Sequence, residues 1–209
     1  MKRKIVLWRH GQTAWNLERR FQGTTDIPLD ETGRGQAGHA ARLLAGLRPT
    51  AIIASPLRRA ATTAQALGAI TGLTVAYDPD LTERGGGAWE GLTGSEIRAM
   101  YPREHAIWEP PGGETGEQVA KRVAAAFERA LERIPAEGLL VVASHGAALR
   151  LGMLRWLGFP DELWSRFGGL SNCCWSVLDE GRSGWRLSEH NAGTLPEPVL
   201  SDDRADGDG

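Results

Sequence analysis

Short apolar runs alternate along the chain with longer stretches of helical periodicity. Four of these runs predict buried strands at Lys4–Trp8, Ala51–Ala54, Val75–Tyr77 and Gly138–Ser144. Apolar residues that recur along one helix face predict helices over Thr32–Leu47, Leu92–Met100, Glu117–Ile134 and Ala147–Leu157. A further helix is expected to start at Ser55-Pro56, with Ser55 as its cap and Pro56 in the first helical position.

The pattern changes toward the end of the chain. Cys173–Leu178 and Trp185–Ser188 predict two strands joined by a turn over 179–184, and therefore an antiparallel pair. Upstream of them, strands alternate with helices, which favours parallel strands covered by helices on both faces. The expected fold class is α/β, a three-layer α/β/α sandwich with a mostly parallel central sheet and an antiparallel edge strand. We expect one domain over 1–195, followed by a disordered acidic tail over 196–209.

Composition and charge narrow the classes of function. The 209 residues suit one domain, and a net charge of −2 gives no electrostatic reason to bind nucleic acid or an anionic membrane. The first apolar run is too short for a signal peptide, and none reaches the roughly 18 residues of a spanning helix. Cys173 and Cys174 would point to opposite faces of a strand, so we expect no disulfide between them. The sequence therefore favours a cytoplasmic protein with reduced cysteines.

Side chains with acid–base and anion-binding chemistry follow each of the four predicted parallel strands. Arg9-His10 follows the first strand, Arg58-Arg59 the second, Glu83-Arg84 the third and His145 the fourth. Ligands of open α/β sheets bind outside the carboxyl ends of the strands. We therefore expect two histidines, at least two arginines and one glutamate to share one rim of the sheet.

This set of side chains suits phosphoryl transfer. Arginine offers a fork of donors that matches phosphate, and fixed positive charge stabilises a transition state whose negative charge spreads over the equatorial oxygens. A neutral imidazole can attack phosphorus and carry it covalently, and neighbouring arginines keep that imidazole unprotonated. A carboxylic acid can protonate the leaving oxygen and then, as carboxylate, deprotonate the attacking water.

At these positions the chain resembles the histidine phosphatase superfamily, also called the phosphoglycerate mutase-like family. The resemblance covers about residues 4–178, and its motifs are specific when they are taken together. They are Arg9–Thr13 with Asn16 and Gln22-Gly23, Ser55–Ala60 with Thr63-Ala64, Leu81 and Glu83, Gly87 with Trp89–Leu92, Gly112–Glu114, and Ser144–Gly146.

The resemblance implies a role for each matching residue. His10 would be the phosphorylated nucleophile, and Glu83 would be the proton donor and later the base. Arg9, Arg59 and His145 would complete the phosphate pocket, and the expected substrate contacts are Asn16, Gln22, Gly23 and Arg84. No cofactor or metal is expected, since no cluster of Cys and His ligands accompanies the motifs. The partner would be a small phosphorylated metabolite, selected by a cap over about 84–115.

Several positions have a second interpretation. Glu90 competes with Glu83 as the acid, and Arg58 is expected to be solvated on the helix surface. Gly85–Gly87 is expected to give the backbone freedom, because no Lys-Ser/Thr follows it as in a P-loop. The stretch 156–167 is apolar enough to pack in the core or to form a homodimer contact. Three tryptophans are open between the substrate cleft and the core: Trp15, Trp89 and Trp108.

The substrate and the reaction stay open among related activities. Segments 108–113 and 185–193 resemble members that act on sugar and glycerate phosphates, which favours hydrolysis of glucosyl-3-phosphoglycerate or a related compound. The alternatives are a cofactor-dependent phosphoglycerate mutase, an α-ribazole phosphatase and a non-catalytic module that binds phosphorylated ligands. A mutase needs a second basic site, but only Arg84, Arg98 and Arg103 lie between Glu83 and Gly113. Residue 147 is Ala, where mutases typically carry Asn.

Overall fold

The computed structural model describes residues 3–193 of the chain. A six-stranded sheet lies at the centre of this part. Its six strands within this range are β1 (Lys4–Arg9), β2 (Ala51–Ala54), β3 (Val75–Tyr77), β4 (Leu139–Ser144), β5 (Trp175–Gly181) and β6 (Gly184–Ala192). They lie in the order β3-β2-β4-β1-β5-β6. The first four strands pair in parallel, whereas β5 runs antiparallel to β1 and β6 antiparallel to β5. The predicted fold class is confirmed, including the antiparallel edge.

Helices follow most of the strands and cover the sheet. They are α1 (Ala14–Leu17), α2 (Glu31–Ala45), α3 (Arg58–Thr71), α4 (Gly94–Met100), α5 (Pro102–Ala106), α6 (Gly116–Leu131) and α7 (Gly146–Trp156). Short 3₁₀ turns lie at Pro79–Leu81, Gly87–Trp89 and Asp161–Arg166. The long helices stand where the apolar periodicity predicts them, with small shifts of their ends.

The helix predicted to start at Ser55-Pro56 begins later. α3 starts at Arg58, and no side chain of the described residues caps it at Leu57. Ser55 Oγ instead lies 2.8 Å from Nε2 of His145 and accepts a hydrogen bond from the Leu57 N–H over 3.3 Å. The prediction that Ser55 caps this helix is therefore wrong, because its hydroxyl is bound to the residue that follows the neighbouring strand.

The parallel strands are apolar on both faces because both faces are covered. In β1, Ile5 and Leu7 belong to the cluster beneath α6 and α7, whereas Val6 and Trp8 belong to the cluster beneath α2 and α3. Successive side chains of a strand point to opposite faces, so a continuous apolar run contributes side chains to the core cluster on each face of the sheet. This is the physical reason for the three layers.

Strand β5 also starts later than predicted, at Trp175 rather than Cys173. Cys173 lies in the preceding turn with a φ of 57°, and both cysteines are buried. The absence of a disulfide between the two cysteines stays a prediction.

The apolar-rich stretch 156–167 packs mainly inward. Its aromatic and aliphatic side chains are partly buried against the larger core cluster: Trp156, Leu157, Phe159, Trp164 and Phe167. These contacts support the core interpretation, and the homodimer stays a prediction.

Two further expectations concern the ends of the chain and the membrane. The acidic tail expected over 196–209 lies outside the described residues. Of the helices within residues 3–193, none combines the length and the apolar character needed to cross a bilayer.

A groove of about 780 Å³ opens at the amino ends of the parallel strands, where Lys4 and Leu139 begin β1 and β4, away from the predicted rim.

Candidate active site

The carboxyl ends of β1 and β4 bring the two predicted histidines side by side. Arg9 and Ser144 are the last residues of these strands and pair in register. The His10 N–H donates to the Ser144 carbonyl over 2.9 Å, and the rings of His10 and His145 have centroids 5.2 Å apart. Strand register therefore places both imidazoles at one rim of the sheet.

Arg59 reaches the same rim from the first turn of α3. Its side chain is fully buried, and its Nε donates to Nδ1 of His145 over 3.1 Å. Its Nη1 donates to the Thr25 carbonyl over 2.8 Å and its Nη2 to the Gly23 carbonyl over 2.7 Å. The neighbouring Arg58 is exposed, so the interpretation that separated these two arginines is supported.

Arg9 completes the buried positive charge. It is 1% exposed, and its Nη1 donates to the Leu170 carbonyl over 2.6 Å. We call Arg9, His10, Arg59 and His145 the cup. Two guanidinium groups that are held by backbone carbonyls keep their positions when an anion enters, so little reorganisation is needed to bind it.

The hydrogen bonds of the cup determine which ring nitrogen of each histidine carries the proton. His10 Nδ1 lies 2.7 Å from the Gly11 carbonyl, which can only accept, so Nδ1 is protonated and Nε2 keeps its lone pair. His145 Nδ1 faces the donating Nε of Arg59, so the proton of this neutral ring lies on Nε2, which faces Ser55 Oγ. The two imidazoles therefore have opposite tautomers and different tasks.

Burial and charge keep both rings neutral. Burial, reinforced by the positive charges of Arg59 and Arg9, holds the pKa of His10 well below its ordinary value near 6.5. The bond to the Gly11 carbonyl opposes this shift without reversing it. Burial and the charge of Arg59 likewise hold the pKa of His145 well below that value. An unprotonated Nε2 on His10 is therefore present even in mildly acidic solution.

The backbone around His10 is packed directly against the first turn of α2. A Cβ added to Gly11 would lie 2.4 Å from the Gly33 carbonyl oxygen, and one added to Gly33 would lie 2.0 Å from the Gln12 carbonyl oxygen. The Gln12 N–H also donates to Oε1 of Gln36 over 2.9 Å. Only glycine fits at these two positions, because backbone touches backbone without an intervening side chain.

The carboxyl group of Glu83 contacts the N-terminal turn of α7, the helix that directly follows His145. The Glu83 side chain is buried, and it accepts hydrogen bonds from the N–H groups of Ala147 at 3.2 Å and Ala148 at 2.9 Å. The N–H of Arg84 donates to the same carboxyl group over 2.8 Å. The first turn of a helix has N–H groups without helical partners, and here they orient a carboxyl group.

The competing carboxylate, Glu90, has a structural environment. It accepts hydrogen bonds from both the N–H and the hydroxyl of Thr24 and of Thr25, and from the N–H of Gly86 at 3.0 Å. Burial raises the pKa of Glu90, but these hydrogen bonds outweigh it and lower the pKa below its ordinary value. Glu90 thus joins two loops, whereas Glu83 is bound to the residues that directly follow His145 in the chain, and this position favours Glu83 as the acid.

The predicted substrate contacts Asn16, Gln22 and Gly23 lie next to the cup. Asn16 Oδ1 accepts from the Thr13 N–H at 3.1 Å, and Thr13 Oγ1 lies 3.0 Å from Gln22 Oε1. Both amide side chains are buried, and Gly23 has a φ of 52° and offers its carbonyl to Arg59. These residues are therefore assembled at the rim, and their contact with substrate stays a prediction.

The side chain of Arg84, the fourth predicted substrate contact, is bound within the cap. Its Nε donates to the Glu114 carbonyl over 2.7 Å, and its Nη2 donates to the Trp108 carbonyl over 2.9 Å. Its side chain is buried and joins two parts of the cap, the segment 84–115. Substrate binding by Arg84 stays a prediction, while its visible contacts hold the cap together.

The cap has an aromatic core of its own. Trp89 is fully buried and packs with Ile97 and with Phe21, which enters from outside the cap. The ring centroids of Trp89 and Trp108 lie 5.0 Å apart, and those of Trp89 and Phe21 lie 5.8 Å apart. Trp89 is therefore a core residue, whereas Trp15 and Trp108 are only partly buried.

Two polar residues at the site were not predicted. Ser55 contacts His145, as described above, and Asn172 donates through Nδ2 to the His10 carbonyl over 3.1 Å and to Asn16 Oδ1 over 3.3 Å. A signal for Asn172 was available, because an antiparallel strand begins at the rim where its parallel neighbours end. Within residues 3–193, no group of three or more His, Cys, Asp and Glu side chains could hold a metal ion.

The fold and the site together define a class of protein. It is an α/β enzyme that collects two neutral imidazoles, two buried arginines and a carboxyl group at the rim of a mostly parallel sheet, an arrangement suited to phosphoryl transfer. The family model of the histidine phosphatase superfamily (branch 1) matches residues 5–193. The chain belongs to this superfamily and is a phosphatase, which confirms the predicted resemblance.

Individual relatives are similar over nearly their whole length. Glucosyl-3-phosphoglycerate phosphatase of Mycobacterium tuberculosis is 36% identical over 211 residues, which cover 91% of this chain and 95% of that protein. A solved mycobacterial glucosyl-3-phosphoglycerate phosphatase in complex with VO3 has a TM-score of 0.86 and 37% identity, covering 91% of this chain and 100% of that chain. A probable phosphoglycerate mutase, GpmB, of Yersinia pestis is 34% identical and covers 88% of both chains.

Proposed function

We propose that this phosphatase hydrolyses phosphomonoesters through a phosphohistidine intermediate on His10. The observation that carries the proposal is the orientation of its imidazole. Nδ1–H is bound to the Gly11 carbonyl over 2.7 Å, which leaves an unprotonated Nε2 in the field of two buried guanidinium groups. A neutral imidazole in a fixed orientation is the form of histidine that attacks phosphorus.

In the first step, Nε2 of His10 forms a bond to phosphorus while the bond between phosphorus and the ester oxygen breaks. Protonated Glu83 gives its proton to that oxygen, so that a neutral alcohol leaves. Arg9 and Arg59 stabilise the negative charge on the three equatorial oxygens. Asn16, Gln22 and Gly23 supply the remaining contacts to the phosphate or to the group that carries it.

In the second step, the carboxylate of Glu83 removes a proton from a water molecule. The oxygen of that water forms a bond to phosphorus as the bond to Nε2 breaks, which releases inorganic phosphate and restores His10. His145 keeps Arg59 in place through the bond between Nδ1 and Nε at 3.1 Å. Because this bond links the two side chains directly, we expect His145 to act on the phosphate chiefly through the guanidinium group of Arg59.

For the substrate, we propose a small sugar or glycerate phosphate, with glucosyl-3-phosphoglycerate as the first candidate. The proposal is supported by relatives of that name that are 35–37% identical over about nine-tenths of the chain. As the sequence predicts, the enzyme would act on this metabolite in the cytoplasm.

Phosphoglycerate mutase activity is the second candidate, because probable phosphoglycerate mutases named GpmB are also similar to this chain. A mutase must hold a bisphosphorylated intermediate and therefore needs further polar groups around the phosphate. Position 147 carries an alanine whose N–H is bound to Glu83. Arg84, the basic residue of the cap that directly follows Glu83 in the chain, is bound to the carbonyls of Trp108 and Glu114. Both observations favour hydrolysis.

A panel of phosphorylated metabolites tests the substrate proposal. Purified enzyme with chelator present is incubated with glucosyl-3-phosphoglycerate, 3-phosphoglycerate, α-ribazole phosphate and p-nitrophenyl phosphate, and phosphate release is followed. We expect the highest kcat/KM with the first compound. Formation of 2-phosphoglycerate that depends on added 2,3-bisphosphoglycerate would instead indicate a mutase, and binding without turnover would indicate a non-catalytic module.

The role of Glu83 is tested by Glu83→Gln. We expect a loss of roughly 10²–10⁴-fold in kcat/KM on alkyl phosphates, whose leaving groups need a proton, and a much smaller loss in kcat/KM on p-nitrophenyl phosphate. The comparison uses kcat/KM because this ratio reports the first step alone, whereas kcat also contains the second step, which is common to all substrates. Steady-state kinetics on both substrates measures the ratio of the two losses. The same loss on both would remove Glu83 from the role of acid.

A further inference from the structure

The backbone of Glu83 and of the residues before it is bound by an arginine that takes no part in the steps above. Arg122 lies on α6 with its side chain mostly buried, at 17% exposure. Its Nη1 donates to the Asp80 carbonyl over 2.8 Å and to the Thr82 carbonyl over 2.7 Å. Its Nη2 donates to the carbonyl of Glu83 itself over 3.0 Å. One guanidinium therefore binds three carbonyls of the segment that carries the proposed acid.

Glu114 holds that guanidinium in a two-point contact. Arg122 Nε donates to Oε1 over 2.8 Å and Nη2 donates to Oε2 over 2.7 Å. Burial raises the pKa of Glu114, but the hydrogen bonds from Arg122 and the Gly85 N–H, together with the charges of Arg122 and Arg84, outweigh it and lower the pKa of this carboxyl group. A two-point contact between arginine and carboxylate fixes direction as well as distance.

Glu114 also connects both ends of the cap to this ion pair. The Gly85 N–H donates to Oε2 over 2.8 Å, and the Glu114 N–H donates back to the Gly85 carbonyl over 2.9 Å. The two loops touch so closely that a Cβ at Gly113 would lie 2.5 Å from the Gly85 carbonyl oxygen. The Gly112–Glu114 motif, which had no role in the chemistry, thus closes the cap next to Glu83.

The support for Glu83 comes from two helices that are packed closely against each other. Its carbonyl is bound to Arg122 on α6, and its carboxyl group is bound to the first turn of α7. α6 and α7 are packed without space between them, since a Cβ at Gly152 would lie 2.3 Å from Cγ1 of Val123. Both ends of the Glu83 residue are therefore fixed to the same rigid pair of helices.

We propose that Arg122 and Glu114 are positioning residues for proton transfer: their ion pair fixes residues 80–85 so that the Glu83 carboxyl group meets the leaving oxygen. The proposal rests on the proposed role of Glu83. A carboxyl group that has drifted by about 1 Å transfers its proton poorly, while attack by His10 is unaffected.

The test compares Arg122→Met, Arg122→Lys and Glu114→Gln with the control Arg129→Met. Arg129 lies on the same helix and binds the side chains of Asp78 and Asp80 over 2.8 and 2.6 Å, but it does not hold the backbone at Glu83. For each folded variant, kcat/KM is measured on p-nitrophenyl phosphate and on an alkyl phosphate, alone and combined with Glu83→Gln.

We expect Arg122→Met to lose about 10–100-fold on the alkyl phosphate and under about threefold on p-nitrophenyl phosphate. Arg122→Lys and Glu114→Gln should show the same selectivity with smaller losses, which preserves the test if Arg122→Met does not fold. Arg129→Met should leave both rates within about twofold. In the Glu83→Gln background the effect of Arg122→Lys should largely disappear, because residues that act through one another are not additive.

Two results would overturn the proposal in distinguishable ways. Equal losses of Glu83→Gln on the two substrates would remove the acid itself, and the positioning role with it. Selective loss in Glu83→Gln, combined with equal or additive losses in the Arg122 variants, would leave the proposed function intact and refute the positioning role alone.

Discussion

The cup and the cap adjoin each other but are built in opposite ways. The cup takes its four residues from three separate parts of the chain, and strand register brings them together; all four are buried and bound to fixed partners. The cap comes from one local segment, 84–115, with two short helices around a small aromatic core. From this difference we propose that the sheet determines the chemistry, while the cap selects the molecule that reaches it.

The stability of the two regions differs for the same reason. β1 and β4 lie in the middle of the sheet, with their side chains in two core clusters. α4 and α5 have seven and five residues, fewer than an isolated helix needs to be stable, so they depend on packing around Trp89. A change in the cup should therefore affect every substrate equally, and a change in the cap should affect substrates differently.

The largest expected effect is that of His10→Ala. Removing the nucleophile should lower kcat by at least about a thousandfold on every substrate, whatever its size or leaving group, while the fold is preserved. Three measurements would establish this: loss of activity on every substrate, a thermal unfolding curve like that of the parent, and the absence of 32P labelling from a phosphorylated substrate. Substantial turnover by this variant would contradict covalent catalysis.

The next effect is that of Trp89→Ala in the cap. We expect a loss of about 3–5 kcal/mol in the free energy of unfolding, because a large side chain with no exposed surface is removed. At temperatures where the variant is folded, kcat/KM should fall more for a large metabolite than for p-nitrophenyl phosphate. Trp89→Phe is the matched control, since it keeps a ring and removes an indole N–H that has no hydrogen-bond partner within residues 3–193. Uniform losses across substrates would remove the distinction between the two regions.

The smallest effect is a change in titration. Replacing Arg59 by Gln removes a positive charge that lowers the pKa of His10 and His145, so both pKa values should rise toward 6.5. The exposed Arg58→Gln is the matched control and should leave both unchanged. NMR titration of the imidazole resonances, assigned with single His variants, measures this directly. Unchanged pKa values in Arg59→Gln would show that burial and the remaining positive charges keep the rings neutral without Arg59.

The same shifts set the sign of the pH dependence of stability. Between the lowered native pKa values and the value near 6.5 expected for the unfolded chain, the unfolded state binds more protons than the native state. The contribution of these two histidines is therefore complete above pH 6.5 and is lost as the solution becomes more acidic. Urea unfolding at several pH values should show that the free energy of unfolding depends less steeply on pH in the Arg59→Gln variant than in the parent.

The strands and the rim were predictable because they follow from local patterns. Apolar runs gave β1 to β4 nearly to the residue, and one rule about strand ends was enough to place His10, Arg59 and His145 together. The rule says nothing about which side chains bind one another. The bond from Ser55 to His145 joins residues 90 positions apart, so a reading of the local sequence around Ser55 suggested a helix cap instead.

The supports of Glu83 were hidden for a related reason. Arg122 lies on the polar side of an amphipathic helix, where a positive charge ordinarily indicates solvent. Its true partners are three backbone carbonyls about 40 residues away, and backbone groups carry no signal in the sequence. Contacts of a side chain with a distant backbone are therefore the part of the site that only the folded chain reveals.

The contact between Gly11 and Gly33 has a consequence for attempts to redirect this enzyme by laboratory evolution. Since a Cβ at Gly11 would meet the backbone of Gly33, and a Cβ at Gly33 would meet the backbone of Gln12, any side chain there would push the loop of the nucleophile away from α2. A mutant library that varies residues 10–13 or 33 would consist largely of inactive proteins. Diversity introduced at the partly buried Trp108 and its neighbours in the cap would leave the nucleophile untouched, and this is where new specificities should be sought.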